Sequence, residues 1–237
     1  MTRRKLGRRK VAEPDAATAE RYFLRLSGWD IRNDPDSLPR FTSPSLFGND
    51  HPLEMEVGCG SGEFLCHLAE ESPETNFVGL DVHLKSLHKG IEAASGAGLG
   101  NIKFVGVDFR QAHPLLAPDS LAAVYLHFPD PGMKTREKRR RIFDRKFLDE
   151  MHVAVVEGGR MSLVTDDEGY FGQMLALIEA DTRWRRTHEE PYLVGFEPGV
   201  KSRFQTLWER RGRKVFHFEL RNRKSGIRRA EAVPHGS

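Results

Sequence analysis

The 237-residue sequence predicts an α/β fold with a doubly wound sheet, and three observations lead there. Short apolar runs alternate with helical patterns through short connections, as strand–helix repeats of a parallel sheet do. The run Leu53–Val57 leads directly into a glycine-rich turn, Gly58-Cys59-Gly60-Ser61-Gly62, and then into a helical pattern. An acid ends or follows each of five successive runs: Glu56, Asp81, Asp108, Asp130 and Asp166. Ligands in open α/β sheets bind outside the carboxyl ends of the strands.

Taken in order, residues 1–20 are polar, basic and without a consistent period, which predicts a flexible arm. No apolar segment follows Met1–Lys10, so this stretch does not read as a secretory signal. Residues 21–52 hold Pro35, Pro39, Pro44 and Pro52 among scattered aromatics and read as an irregular lead-in. Strands are expected at Leu53–Val57, Asn76–Leu80, Ile102–Val107, Leu121–His127 and Arg160–Thr165, with a late strand at Lys214–Arg221. Helices are expected at Glu63–Glu71, Leu84–Ala97, Arg139–Glu157 and Glu168–Asp181; Gly98 and Gly158-Gly159 serve as stops. The domain is expected to span residues 21–222, with a flexible tail at 223–237.

Composition fits a soluble globular protein: 38% hydrophobic and 30% charged residues. No apolar run approaches the roughly 18 residues that span a bilayer. Two cysteines, Cys59 and Cys66, are too few for a disulfide framework or a structural zinc site, so a reducing cytoplasm is the expected compartment. Cys59 reads as a small filler of the glycine turn. The net charge of +3 hides clusters of basic residues at 3–10, 134–146, 201–214 and 221–229. Such clusters suit a polyphosphate partner or a solvated helix face. The functional reading is preferred for 134–146, because an acid-bearing loop adjoins it.

Glu56 selects among cofactors. A dinucleotide would set its pyrophosphate against the glycine turn and the helix N-terminus, where a carboxylate would repel it. S-adenosylmethionine carries an ammonium and a sulfonium and no phosphate, so Glu56 with Gly58 and Gly60 reads as a methyl-donor site; the glycine pattern alone is weak. The plain alternative is a tight strand-to-helix turn. Asp81, about 20 residues past the glycines, suits a ribose diol, and Asp108 suits an adenine amine. Asp130 stands between Pro129 and Pro131, which stiffen the backbone around it. A stiffened acid beside a cofactor reads as a catalytic or substrate-orienting group.

Together these residues resemble the bacterial tRNA (guanine-N7-)-methyltransferases, the TrmB family, from about Phe47 to about Arg211. The matching stretches are Phe47-Gly48-Asn49, Leu53 to Gly62, Gly79-Leu80-Asp81, Asn101-Ile102, Phe128-Pro129-Asp130-Pro131 with Lys134 and Arg139-Arg140-Arg141, Thr165-Asp166, and Arg203 with Thr206 and Glu209. The resemblance implies a class I S-adenosylmethionine-dependent methyltransferase with a Rossmann-like sheet and no metal. It implies that Glu56, Asp81, Asp108 and Asp130 line the cofactor pocket and that Asp130 is catalytic. It puts Lys134, Asp166, Thr206, Leu207, Trp208 and Glu209 on the substrate side. The reaction it implies is methylation of guanosine N7 at position 46 in the variable loop of tRNA, a step of tRNA processing. The chain departs from the family pattern at Gly132 and Met133, where Trp and then Pro or His are usual; at Glu137, where His is usual; and at Leu207-Trp208.

The N7 lone pair of guanine is already nucleophilic, so the absence of a Ser-His or Cys-His pair is expected. tRNA is the expected partner, with no membrane and no obligate protein partner. Two other readings also fit the sequence: a same-family enzyme acting on another guanosine or RNA, and a non-catalytic RNA-binding relative. A nicotinamide dehydrogenase is disfavoured by Glu56 and the acidic strand ends.

Overall fold

The computed structural model describes residues 12–132, 134–139, 141–195, 197, 205–206 and 212–224. The chain enters through helix α1 (Ala16–Tyr22), whose N-cap Asp15 accepts from the Thr18 amide. The arm expected over residues 1–20 is therefore already helical from Ala16; residues 1–11 lie outside the described residues. The irregular lead-in is also corrected. It holds an edge strand β1 (Phe23–Arg25), α2 (Gly28–Asn33) capped by Ser27, and α3 (Ser43–Phe47) capped by Thr42 and closed by left-handed Gly48. Side-chain oxygens satisfying the first free amides explain these short helices better than the prolines predicted them.

The alternation follows: β2 (Leu53–Val57), α4 (Glu63–Glu71), β3 (Asn76–Asp81), α5 (Leu84–Gly96), β4 (Ile102–Gly106), α6 (Phe109–Ala112), β5 (Leu121–His127), α7 (Thr135–Lys138), α8 (Arg145–Ala154), β6 (Val155–Thr165) and α9 (Glu168–Glu179). Three strands close the chain: β7 (Trp184–Arg186), β8 (Leu193–Val194) and β9 (Phe216–Asn222). The nine-stranded sheet has the order β1-β4-β3-β2-β5-β6-β9-β7, with β8 on β9. Strands β1 to β6 pair in parallel, and β9 is antiparallel to β6, β7 and β8. The chain winds outward from β2 to β4 and then crosses to β5. The order therefore reverses between β2 and β5, the place where such sheets bind ligands.

Each sheet face packs its own core. One face receives Phe147, Met151 and Ala154 of α8 and Tyr170, Met174 and Ile178 of α9, all nearly fully buried. The other receives Leu65 and Ala69 of α4 and Leu87, Ile91 and Ala94 of α5. Spacings of three and four residues put each set on one helix stripe. A fully buried Leu or Ile contributes about 1.5–3 kcal/mol, so these stripes fix the helices on the sheet and the strand ends in place.

The helix expected over Arg139–Glu157 is a shorter one, α8 over Arg145–Ala154, while α7 ends before it, at Lys138. Asp144 caps α8 by accepting from the Phe147 amide, and the helix stops at Ala154, where the β-branched Val155 and Val156 begin β6. Gly158, at φ +71°, lies inside that strand and not at a helix end, and the β5–β6 register shifts between Leu121 and Ala123.

Candidate cofactor and substrate site

Parallel pairing of β1 to β6 brings the ends of β2, β3, β4, β5 and β6 to one edge, and with them Glu56, Asp81, Asp108, Asp130 and Asp166. The glycine turn is tied to β3: the Gly58 and Cys59 amides both donate to the Leu80 carbonyl, at 2.8 and 3.0 Å. Asp81 completes the link. Its Oδ2 accepts from the Gly60 amide at 2.8 Å, and its Oδ1 from the His83 amide at 2.7 Å. One carboxylate thus spans the turn and the entry to α5.

The glycines have two jobs. Gly62, at φ +64°, could carry no side chain, because a Cβ would lie 2.4 Å from Phe104. Gly58 and Gly60, at φ +80° and +57°, have no atom within 4 Å of an ideal Cβ. Their backbone therefore faces open space that a ligand can approach closely.

Glu56 is only 5% exposed, and its buried Oε2 has no hydrogen-bond partner among the described residues. Burial, with the charge of Asp81 added, pushes its pKa up to about 8. A buried carboxyl without a partner stays neutral until a cation arrives. The ammonium of S-adenosylmethionine would satisfy it, and the open glycine turn leaves room beside it, so the residues present fit this cofactor. Cys59 is buried and its thiol is pushed upward, chiefly by desolvation, in keeping with a filler and not a nucleophile. Asp108 caps α6, its Oδ1 accepting from the Arg110 amide at 3.0 Å.

The loop after β5 is strained. Phe128 adopts φ +51°, and its amide donates to the Val164 carbonyl at 2.8 Å. Asp130 is exposed, with Oδ1 accepting from the Gly132 amide at 2.9 Å. Lys134 is exposed, and its backbone amide donates to Glu137 Oε2 at 3.0 Å. Glu137 thereby closes the first turn of α7. Asp166, at the end of β6, pairs with Arg213 at 2.7 Å, and Thr206 is half-buried. Leu207, Trp208 and Glu209 lie outside the described residues.

The expected phosphate-facing run Arg139–Arg141 needs one correction. Arg139 is exposed, but Arg141 is 6% exposed and turned inward. Its Nε donates to the Pro131 carbonyl at 2.8 Å and its Nη1 to Gln173 Oε1 at 2.9 Å. Its guanidinium carbon lies 4.5 Å from the centre of the Tyr170 ring. Sequence reasoning missed this role, since an inward arginine in a basic run carries no local mark. The left-handed Phe128 was equally hidden, although its flanking prolines signalled a constrained loop.

Among the described residues no group of three His, Cys, Asp or Glu side chains could hold a metal ion, and no helix is long and apolar enough to cross a membrane. A cavity of about 660 Å³, lined by Ile178, Trp184, Arg186 and Arg223 among others, holds none of the predicted site residues. Trp184 pairs with Asn222, at the far end of β9 from the acidic edge.

A methyltransferase family model matches residues 50–218. A tRNA (guanine-N(7)-)-methyltransferase of Rubrobacter xylanophilus is 64% identical over 93% of this chain and 99% of its own length. One of the same name from Chloroherpeton thalassium is 34% identical over 90% and 94%. Among solved structures, an antibiotic-related methyltransferase superposes with a TM-score of 0.57 at 18% identity, covering 85% of this chain and 96% of that one. The 16S rRNA methyltransferase KamB superposes at 0.56 with 14% identity, covering 75% and 91%. At those identities the likeness is one of fold, the methyltransferase α/β fold.

Proposed function

The chain belongs to the tRNA (guanine-N(7)-)-methyltransferase family, and from that premise we propose that it methylates N7 of guanosine 46 in the variable loop of tRNA, with S-adenosylmethionine as donor. The observation that carries the cofactor half of this reading is the buried, unpartnered Glu56 Oε2 beside the open turn at Gly58 and Gly60. S-adenosylmethionine, when bound, supplies an electrophilic methyl group on a sulfonium.

In this reading Glu56 accepts the ammonium, Asp81 the ribose hydroxyls and Asp108 the adenine amine. Asp81 does so while holding the Gly60 amide, so turn and diol acceptor form one rigid piece. No residue has to remove a proton before transfer, because the N7 lone pair is free. The protein's contribution is alignment, which can supply a large share of a rate enhancement. Asp130, exposed at the tip of the strained loop, stabilises the positive charge that develops on the purine. Asp166 and Glu209 accept from the guanine N1–H and amino edge, which adenine does not present. Thr206, Leu207 and Trp208 complete the substrate side.

Lys134 and Arg139 stand exposed beside this loop and bind the tRNA backbone, together with the basic residues 3–10. The target base must be reached within a folded RNA, so shape and base accessibility dominate over sequence. The reading carries a cytoplasmic location and needs no obligate protein partner. A different acceptor guanosine is the alternative, motivated by Gly132, which sits at φ +62° where the resembled family has an aromatic. Incubation with labelled S-adenosylmethionine and bulk tRNA, followed by mapping of the labelled nucleotide, separates the two: label at guanosine 46 supports the proposal and label at another nucleotide refutes its target.

A further inference from the structure

We propose that Arg141 is a positioning residue for methyl transfer: its buried guanidinium locks the Phe128–Pro131 loop to the start of α9, holding Asp130 in one place relative to the end of β6. The inference rests on the reading of Asp130 given above.

The fork of Arg141 reaches two segments, the loop after β5 and the N-terminal part of α9 with its cap. Nε donates to the Pro131 carbonyl at 2.8 Å, in the loop after β5. Nη1 donates to the Gly169 carbonyl at 3.2 Å and to Gln173 Oε1 at 2.9 Å, both in α9. Nη2 lies 3.6 Å from Asp167 Oδ1, in the turn that follows Asp166. The backbone carbonyl of Arg141 accepts from Arg110 Nη2 at 2.6 Å, which ties α6, and hence the Asp108 cap, to the same residue. A guanidinium taken out of water needs its donors satisfied, and here each partner belongs to an element that borders the site.

Packing of the segment on α9 does not need this side chain. The Phe143 amide donates to the Tyr170 hydroxyl at 2.8 Å, and Gln173 Nε2 donates to the Phe143 carbonyl at 3.1 Å. What Arg141 adds is the bond to Pro131. Asp130 is the residue before Pro131, and prolines on both sides limit its freedom. A tether at the Pro131 carbonyl is therefore felt at the Asp130 carboxylate. The strained φ of +51° at Phe128 fits this picture, because such a conformation persists only where surrounding contacts over-determine it. Lysine offers charge without the planar fork that lets one side chain bond the loop and the start of α9 together.

The test is a double-mutant cycle on methyl transfer to tRNA with wild type, Arg141→Lys, Asp130→Asn and the double variant. Affinity for S-adenosylmethionine is measured by calorimetry alongside. Arg141→Lys is expected to lower kcat by about tenfold to a hundredfold, as small misplacements of a reacting group do. Its KM for tRNA and its cofactor affinity should stay within about twofold of wild type, and in the Asp130→Asn background it should cost little more, the signature of two residues acting as one unit. Wild-type kcat in Arg141→Lys, losses that multiply in the double variant, or cofactor affinity falling in step with kcat each overturn the proposal. If the lysine variant does not fold, Arg141→Gln takes its place in the cycle, and failure of both to fold makes Arg141 a residue of the fold and overturns the proposal as well. A wild-type protein inactive on tRNA overturns the functional reading and this inference with it. An active wild type with an equally active Arg141→Lys overturns the inference alone.

Discussion

Glu56 and Asp81 lie close enough for the charge of one to oppose ionisation of the other, yet only Asp81 is engaged, closing the glycine turn through the Gly60 amide while Glu56 Oε2 stays unpartnered among the described residues. Two neighbouring carboxyl groups are therefore used differently: Asp81 is bonded into the turn, and Glu56 Oε2 has no partner among the described residues. The Glu56 pKa is raised from 4.5 to about 8 by burial first and Asp81 second. Between those pH values the folded protein holds a proton that the unfolded chain has lost. The contribution of Glu56 to stability therefore falls as pH rises from about 4.5 toward 8.

Binding of a cationic ligand reverses the preference at Glu56. Near pH 6.5 the cofactor's ammonium should drive out up to about one proton, and affinity should rise as pH approaches the raised pKa. Calorimetry in two buffers of different ionisation enthalpy measures that proton directly. In Glu56→Gln the proton release should vanish and affinity should fall. Proton release retained in that variant would assign the effect to another group.

Gly60 and Gly62 share a left-handed backbone but should fail differently when replaced. Gly62→Ala forces a methyl to within 2.4 Å of Phe104 and should cost about 1–3 kcal/mol of stability, read as a lower Tm. Gly60→Ala meets no atom within 4 Å, so its loss of stability should be limited to the strain of the backbone, about 1–2 kcal/mol. Its larger effect should be on cofactor affinity, because the methyl enters the space in front of the turn. Equal cofactor affinity in Gly60→Ala and wild type would remove the turn from the binding site.

Lys134 is exposed and adjoins the Asp130 loop. If it contacts a phosphate, Lys134→Ala should weaken tRNA binding and reduce the slope of log affinity against log salt by about one. Cofactor affinity should not change. An unaltered salt slope would place Lys134 outside the RNA interface.

The legible and hidden parts of this molecule differ in range. Strand β2, helix α4 and the turn between them follow from local signals in one continuous stretch, and the observed Leu53–Val57 and Glu63–Glu71 match the expected spans. The placement of Glu56 beside Asp81 was accessible through the strand alternation, because parallel pairing fixes which ends meet. The start of β6 was not. Val155 and Val156 continue an apolar helical stripe and turn into a strand only because the chain pairs there with β5, Val155 opposite Leu121. The short helices of the lead-in rest on the single caps Ser27 and Thr42, a signal easily lost among prolines. Arg141 was hidden for the most physical reason: whether an arginine in a basic run faces solvent or folds under a loop depends on carbonyls 10 and 28 residues away, at Pro131 and Gly169.

The central claim is that the acidic edge of this sheet methylates guanine N7 in tRNA and that Asp130 is the group that matters at the reacting base. The most direct measurement is transfer of a labelled methyl group from S-adenosylmethionine to tRNA by wild type and by Asp130→Ala, with the labelled nucleoside identified in each case. The account predicts 7-methylguanosine at position 46 from wild type, and transfer reduced by about a hundredfold or more in Asp130→Ala with the fold retained. Near-normal transfer by Asp130→Ala, or label on any other atom, would contradict it.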